Sequence, residues 1–90
     1  MRYVLTYDIE DDRQRTKLAN LLLDYGDRVQ KSVFEADLTR DDLEELLEKA
    51  GEYVNDDDSF LAYPLCKNCN QEAKSLGRPR DLYVENKRIV

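Results

Sequence analysis

Short extended segments and two amphipathic helices are predicted by the pattern of apolar and polar positions. Residues 2–9 are β-branched and aromatic and too few for a helix, so they predict a strand. Alternation along that strand places Tyr3, Leu5, Tyr7 and Ile9 on one face and Val4, Thr6 and Asp8 on the other. The bulkier set predicts the face that the helices cover.

Apolar residues at helical spacing predict the two helices. The first spans about residues 12–25, is capped by the acidic residues 10–12, and is expected to end at Gly26 as a left-handed C-cap. The second begins after an N-cap at Thr39 and ends at Gly51.

The remaining segments are extended or polar. Residues 28–38 predict an extended segment. Its apolar residues stand at odd positions up to Val33 and at even positions from Phe34, so a bulge or a break into two strands is expected there. Residues 55–58 predict a turn, and residues 59–65 a strand that Pro64 ends or confines to a sheet edge. A polar loop with room for one helical turn follows, and a last extended segment involves residues 82–84 and 89–90.

The predicted elements follow the ferredoxin-like α+β order βαββαβ, which is strand, helix, extended pair, helix and strand. They form a single domain of residues 1–90. Its helices cover one sheet face and leave the other for a partner. The surplus C-terminal strand, residues 81–90, predicts exchange between the protomers of a homodimer.

Composition limits the possible chemistry. Ninety residues bury a small core, so dimerisation is a natural supplement. The absence of histidine excludes Ser-His and Cys-His nucleophiles and histidine-ligated metals. No apolar run approaches membrane-spanning length and no leader is apparent, which predicts a soluble cytoplasmic protein with no membrane association.

Charge is distributed unevenly along a chain whose net charge is −6. Residues 1–34 have net charge 0, residues 35–58 have −9, and residues 59–90 have +3. A polyanion such as a nucleic acid responds to the local electrostatic field rather than to the net charge of the protein. Basic patches on the two flanking segments can therefore still bind it.

Asp8 ends the first predicted strand on its small-residue face. A carboxylate there suits a hard cation such as Mg²⁺, although a turn-capping role is the commoner one for Asp at a strand end. Without imidazole, a bound metal is the evident route to an activated water.

Arg13, Arg15 and Lys17 lie in the first turns of a helix, where positive charge opposes the macrodipole. Phosphate binding would explain them, and a solvated basic patch is the alternative. The same interpretation extends to further basic residues: Arg28, Lys31, Arg78, Arg80, Lys87 and Arg88.

Three other features carry less specific signals. Cys66 and Cys69 form one C-x-x-C pair. The pair offers two of the four ligands of a structural zinc, and it also has the spacing of a redox pair. The simplest interpretation is that both are reduced cysteines in a loop. Residues 56–58 are three aspartates that predict a solvated turn rather than a metal cluster. Ser32 lacks a base and is expected to be structural or to donate to a phosphate.

Several short motifs together resemble one family. They are Tyr7-Asp8-Ile9, Asp11-Asp12-Arg13, Lys-Leu-Ala-Asn-Leu-Leu at 17–22, Tyr-Gly-x-Arg-Val-Gln-x-Ser-Val-Phe-Glu at 25–35, and, as in a common subgroup, Tyr-Pro-Leu-Cys at 63–66 with Cys69. The sequence resembles the CRISPR-associated endoribonuclease family, the smaller of the two universal adaptation subunits. The resemblance covers the whole chain and is most specific over residues 3–38.

The resemblance implies a ferredoxin-like homodimer and a Mg²⁺-dependent endonuclease acting on single-stranded RNA or double-stranded DNA. It also implies binding to the CRISPR integrase in the antiviral adaptation machinery. The family's metal-binding aspartate matches Asp8, facing its symmetry mate across the dimer axis. Positions that support cleavage match Tyr7, Arg15, Arg28 and Phe34, while Lys17 replaces an arginine and does not offer bidentate phosphate contact.

Two alternatives remain open. One is a non-catalytic dimeric scaffold that binds DNA and the integrase, because a shared fold does not establish catalysis. The other is the related virulence-associated toxin endoribonuclease. Nucleic-acid binding is expected to involve Arg13, Arg15, Lys17, Arg28 and Lys31.

Overall fold

The secondary structure follows the predicted order. The computed structural model describes residues 1–74 and 76, together with two short C-terminal strands. The elements are β1 (Arg2–Asp8), α1 (Asp12–Leu23), β2 (Gly26–Gln30), β3 (Val33–Asp37), α2 (Arg40–Ala50), a 3-10 turn (Gly51–Tyr53), β4 (Ser59–Leu65), α3 (Lys67–Gln71), β5 (Tyr83–Val84) and β6 (Lys87–Arg88).

β1 separates a buried face from an open one, as the alternation predicts. Leu5, Tyr7 and Ile9 are buried, whereas Val4 and Thr6 are only half-buried and Asp8 is exposed. The core lies between the sheet and the helices, and its largest fully buried side chains are Leu5, Leu18, Leu22, Phe34 and Leu46. Each such side chain contributes about 1.5–3 kcal/mol by leaving water, so this layer supplies most of the stabilisation.

α1 begins where the acidic residues predict it. Asp11 is the N-cap, and its carboxylate accepts from the backbone N–H of Gln14 at 2.9 Å. The prediction that Gly26 ends this helix as a left-handed C-cap is wrong. Asp24 is the C-cap, with right-handed φ −73° and ψ −16°, and Gly26 opens β2 instead.

Gly26 is required by a close approach between strands. A Cβ at this position would lie 2.1 Å from the carbonyl oxygen of Glu35 and 2.7 Å from the Cβ of Ala36. Since Gly26 pairs with Ala36 in the β2–β3 ladder, only a residue without a side chain allows the two backbones to meet there.

The expected break in the second extended segment is confirmed, but it lies earlier. The β2–β3 turn is at residues 31–32, and the register shifts between Arg28 and Gln30. The change from odd to even apolar positions at residues 33–34 does not come from a bulge. Val33 pairs with Thr6 on the open face, while Phe34 pairs with Leu5 on the helix-covered face.

α2 begins at the predicted cap. Thr39 and Asp42 form a reciprocal capping box, in which each side chain accepts from the other residue's backbone N–H, at 3.1 and 3.2 Å. Gly51 ends the helix as expected. The Tyr25 hydroxyl donates to Glu45 at 2.8 Å and thereby links the end of α1 to α2.

The four-stranded sheet has the order β2-β3-β1-β4, and all its pairs are antiparallel. This arrangement, with both helices on one face, is the ferredoxin-like fold that the sequence predicts. Pro64 lies in β4, an edge strand, as its missing N–H requires.

The C-terminal part is described only as backbone. β5 and β6 pair antiparallel with each other, Tyr83 opposite Arg88 and Val84 opposite Lys87. The rest of the predicted last segment, including residues 82, 89 and 90, lies outside the described residues, as do Arg78 and Arg80. Exchange of residues 81–90 between protomers stays a prediction. Within the described chain, every helix is too short or too polar to cross a membrane.

Candidate metal and nucleic-acid site

Asp8 is the last residue of β1 and faces away from the helices. It pairs with Ser59 at the start of β4, and it is exposed. Among the described residues, no side chain or backbone group hydrogen-bonds to its carboxylate. The carboxylate is therefore exposed and free of contacts with the described chain, and metal binding by Asp8 stays a prediction.

Arg15 fixes the loop that leaves Asp8. Its Nη1 donates to the carbonyl oxygen of Ile9 at 2.7 Å and to that of Glu10 at 3.4 Å, and its Nη2 forms an ion pair with Asp12. The guanidinium thus binds the main chain within two residues of Asp8. Arg15 holds the end of β1 against α1, and its side chain is about one third exposed.

Asp58 fixes the same loop from the other side, and the sequence does not indicate this role. Its Oδ1 accepts from the backbone N–H of Glu10 at 3.2 Å, and its Oδ2 accepts from that of Asn55 at 2.9 Å. One carboxylate therefore closes the 55–58 turn and ties it to the residue after Ile9. The Asn-to-Asp spacing signals the turn, but nothing local signals the second contact, which spans 48 residues.

Three residues assigned to cleavage by the family resemblance meet at the turn between β2 and β3. The Lys31 carbonyl accepts from Arg28 Nε and Nη2, at 3.2 and 2.5 Å, and from the Tyr7 hydroxyl at 3.3 Å. The Arg28 guanidinium lies 5.5 Å from the centroid of the Phe34 ring, and the Tyr7 and Phe34 centroids are 6.3 Å apart. These contacts hold the β2–β3 turn against the end of β1.

Tyr7 and Phe34 are buried, at 6% and 0% exposure, on the helix-covered face. They can orient the β2–β3 turn, but in this conformation they cannot touch a nucleic acid. A role of these two residues in cleavage stays a prediction, and their burial excludes direct contact with a substrate in this conformation. Ser32 takes part in the same anchoring, because its carbonyl accepts from the backbone N–H of Tyr7 at 3.3 Å.

The predicted basic residues divide into two groups. Arg15 and Arg28 donate to main-chain carbonyls. Arg13, Lys17 and Lys31 are exposed and make no ion pair with any other described residue. Arg13 and Lys17 are four residues apart, so they project from the same side of α1.

The described residues hold no cluster of three or more metal-ligating side chains. Asp8 therefore belongs to no such cluster, and Asp58 is committed to backbone N–H groups. The predicted turn at residues 56–58 is present, closed by the contacts between Asn55 and Asp58. A cation at Asp8 would need waters, a substrate oxygen or a second chain to complete its coordination.

The open face of the sheet carries the apolar side chains next to Asp8. Leu61 and Tyr63 of β4 pair with Thr6 and Val4, and they are 47% and 53% exposed. On the same face, Arg2 forms an ion pair with Glu35 at 2.9 Å. Val4 and Thr6 beside them are half-buried, whereas Arg2 at the start of β1 is buried.

Comparison with known proteins identifies the family. The family model of the CRISPR associated protein Cas2 matches residues 1–73. A protein of Synechocystis named CRISPR-associated endoribonuclease Cas2 3 is 42% identical over 78 residues, which are 86% of this chain and 85% of that protein. The Cas2 structure of Streptococcus pyogenes superimposes with a TM-score of 0.76 at 30% identity, over 86% of this chain and all of that one.

A chain in a structure titled partial Cas6-RT-Cas1–Cas2 complex is similar as well, with a TM-score of 0.72 at 26% identity, over 92% of this chain and 98% of that one. The match to the family model spans the strands, helices and turns that position Asp8. The chain therefore belongs to the CRISPR-associated Cas2 family.

Proposed function

We propose that this protein is a metal-dependent endonuclease of the CRISPR adaptation machinery that hydrolyses phosphodiester bonds of single-stranded RNA or double-stranded DNA. The observation that carries the proposal is the Asp8 carboxylate, which is exposed at the end of β1 and has no hydrogen-bond partner in the described chain. The names of the related proteins, endoribonuclease and endonuclease, support the same activity.

The donor chemistry of the site fits Mg²⁺. Asp8 offers carboxylate oxygens, the ligands that Mg²⁺ prefers, and this cation commonly uses one or two carboxylates with waters and substrate phosphates. When bound, Mg²⁺ would stabilise the negative charge that develops on the phosphodiester. The chain itself contributes the orientation of Asp8, because Arg15 and Asp58 fix the loop that follows it.

Phosphate binding is assigned to the free basic side chains. Arg13 and Lys17 on α1 and Lys31 in the β2–β3 turn are exposed, and each can pair with a phosphate without breaking a contact of the described chain. Arg28, Tyr7 and Phe34 act through the turn that they hold. Arg15 can contribute its remaining donors, since a guanidinium has five.

Assembly as a homodimer is part of the proposal. Leu61 and Tyr63 leave an apolar surface on the open sheet face, and Asp8 lies on that face. Two copies joined there would each contribute one carboxylate to a shared cation, whose charge relieves the repulsion between them. The integrase is the expected second partner, because a similar chain occurs in a complex with Cas1. The expected compartment is the cytoplasm.

A non-catalytic scaffold is the second candidate. It is favoured by one observation, namely that Tyr7 and Phe34 are buried and Arg28 is bound to a main-chain carbonyl. Those residues then maintain the fold rather than the chemistry. In this case the basic residues would bind DNA without cleavage.

The experiment is cleavage of matched RNA and duplex DNA over a Mg²⁺ titration. Asp8→Asn keeps the shape but removes the charge, so cleavage should fall by on the order of 10²-fold or more, while folding and DNA binding persist. Asp57→Asn, in the exposed 55–58 turn, is the matched control and should cleave like wild type. Wild-type activity in Asp8→Asn would refute the assignment. DNA binding without cleavage by either protein would support the scaffold instead.

A further inference from the structure

The C-x-x-C pair is the one motif of the sequence that the proposed function leaves unused. Cys66 follows the last residue of β4, and Cys69 lies in the short helix α3. Both thiols are free and exposed. They are the only two cysteines of the chain, so each is the other's sole partner for an intramolecular disulfide.

The sulfur of Cys66 is held against the backbone of Cys69. The backbone N–H of Cys69 donates to Cys66 Sγ at 3.3 Å, so the chain turns back on itself across the pair. Residues three apart in a helical turn have Cβ atoms about 5–6 Å apart. A disulfide usually joins Cβ atoms about 3.5–4.5 Å apart. The two Cβ atoms therefore have to approach by about 1–2 Å, together with rotation of the side chains, to form the bond.

We propose that Cys66 and Cys69 form a redox-active dithiol that low-molecular-weight disulfides oxidise to an intramolecular disulfide, with Cys66 as the attacking thiolate and Cys69 as the resolving thiol. The described residues offer no third metal ligand beside the pair, which favours this role over a metal site within one chain. In a reducing compartment the pair would be oxidised only transiently.

The local hydrogen bonds make the two cysteines unequal. The backbone N–H of Cys69 and then the Cys69 thiol, both of which donate to Cys66, lower the pKa of Cys66. The pKa of Cys69 is raised, first because its thiol donates its proton to Cys66 and then because of the charge on that sulfur. Because the thiolate is the nucleophile, Cys66 reacts first.

The exchange proceeds in two balanced steps. The Cys66 thiolate attacks one sulfur of the small disulfide, forms a mixed disulfide and releases one small thiolate, which takes up a proton. Cys69 then loses its proton to solvent and attacks the Cys66 sulfur. The bond between the protein sulfurs forms, and the second small thiolate leaves and is protonated. The protein dithiol loses two electrons, and the small disulfide is reduced to two thiols.

The disulfide would close a ring of four residues and leave the four-stranded sheet in place. Leu65, the residue before Cys66, pairs with Arg2 of β1, and the bond would form beyond that pair. Oxidation would stiffen the connection between β4 and the C-terminal segment that carries β5 and β6.

The test treats the reduced, full-length protein with oxidised glutathione and follows it by intact mass and by mapping of alkylated peptides. Wild type should lose two hydrogens, become resistant to iodoacetamide and keep no glutathione adduct. Cys69→Ser should accumulate the mixed disulfide at Cys66, several-fold faster than Cys66→Ser accumulates one at Cys69. Far-UV circular dichroism checks that the variants are folded.

A pH series separates this mechanism from simple exposure of two thiols. Alkylation of Cys66 in Cys69→Ser should reach its half-maximal rate at a lower pH than alkylation of Cys69 in Cys66→Ser. Equal rates in the two variants, a wild type that stays reduced, or disulfides only between chains would overturn the proposal. Protection of both thiols by one Zn²⁺ per two chains, with no oxidation by glutathione, would also overturn it.

Discussion

Asp58 has a larger structural role than its position among three consecutive aspartates suggests. Its two oxygens accept from Asn55 and Glu10, so it joins the turn before β4 to the loop after β1. Asp8 and Ser59 are paired between these two contacts. The stiffness of the candidate site therefore depends on a carboxylate that is not itself a candidate ligand.

A graded series at Asp58 follows from this geometry. Asp58→Asn keeps one acceptor oxygen, and Asp58→Ala keeps none. Because each hydrogen bond contributes about 0.5–1.5 kcal/mol, unfolding free energy should fall in the order wild type, Asn variant, Ala variant. Urea denaturation measures it, with Asp57→Ala, in the same turn, as control. Equal stability of the two Asp58 variants would contradict the two-bond interpretation.

For single residues, the sequence predicts the sheet face on which a side chain lies better than it predicts the groups that the side chain contacts. Alternation along β1 is enough to place Asp8 on the open face. The contact of Asp58 with Glu10 spans 48 residues, and that of Arg28 with Lys31 depends on the turn geometry, so neither appears in a pattern. The family resemblance assigns Tyr7 and Phe34 to cleavage, whereas the structure buries both side chains, which the pattern of the family motif does not indicate.

The two glycines that flank predicted helices differ in what their surroundings demand. A Cβ on Gly26 would meet the Glu35 carbonyl and Ala36 across the β2–β3 ladder. A Cβ on Gly51 would meet nothing within 4 Å, and its φ of −56° suits any residue. Both glycines follow an amphipathic stripe, which is why the pattern alone predicts the same role for both.

Opposite effects on stability are expected from alanine at these two positions. Gly26→Ala should destabilise the protein by about 1–3 kcal/mol, because β2 must move away from β3. Gly51→Ala should be stabilising by about 0.4–1 kcal/mol, because it reduces the entropy of the unfolded chain. Thermal and urea unfolding measure both changes. Two changes of the same sign would argue against the close approach at Gly26.

Element order and the covered face of the sheet could be predicted because both depend on local periodicity. The start of α1, the bounds of α2, the edge position of Pro64 and the cap at Thr39 follow from spacing and from single-residue chemistry, whereas the end of α1 does not. The position of the β2–β3 turn could not be fixed in this way. Val33 and Phe34 are both apolar but lie on opposite faces, and only strand pairing distinguishes them.

At the scale of the molecule, the sheet face opposite α1 and α2 keeps two exposed apolar side chains. Leu61 and Tyr63 project there from the edge strand β4. Leu61→Glu should therefore lower dimer affinity while the single chain stays folded, because the side chain is already half exposed. Leu23→Glu is the matched control, since Leu23 is 51% exposed on α1, on the opposite side of the sheet.

Sedimentation at several protein concentrations distinguishes the outcomes. The expected result is a concentration-dependent dimer for wild type and for Leu23→Glu, and a monomer for Leu61→Glu. A wild type that stays monomeric at micromolar concentration would refute the homodimer. A dimer that tolerates Leu61→Glu would show that the copies meet elsewhere.

Charge is segregated between the two helices of the covering layer. α1 presents Arg13 and Lys17, whereas the exposed residues of α2 are mostly acidic: Asp41, Asp42, Glu44, Glu45 and Glu48. Net charge of −6 consequently says little about polyanion binding, because a phosphate backbone responds to the local field around α1.

Nucleic-acid binding through α1 should show in the salt dependence of affinity. Each neutralised phosphate contributes about −0.9 to the slope of log K against log salt on duplex DNA, and about −0.7 on single strands. Replacing Arg13 and Lys17 by Ala should flatten the slope by that amount for every phosphate that is no longer neutralised, and it should weaken binding to all sequences alike. Arg15 and Arg28 are unsuitable for this test, because their removal would also release main-chain carbonyls.

The matched control is Lys49→Ala, which removes a cation of α2 that is paired with Glu45 and should leave the slope unchanged. Fluorescence anisotropy over a salt series gives both quantities, and an unchanged slope in the α1 double variant would remove α1 from the binding surface.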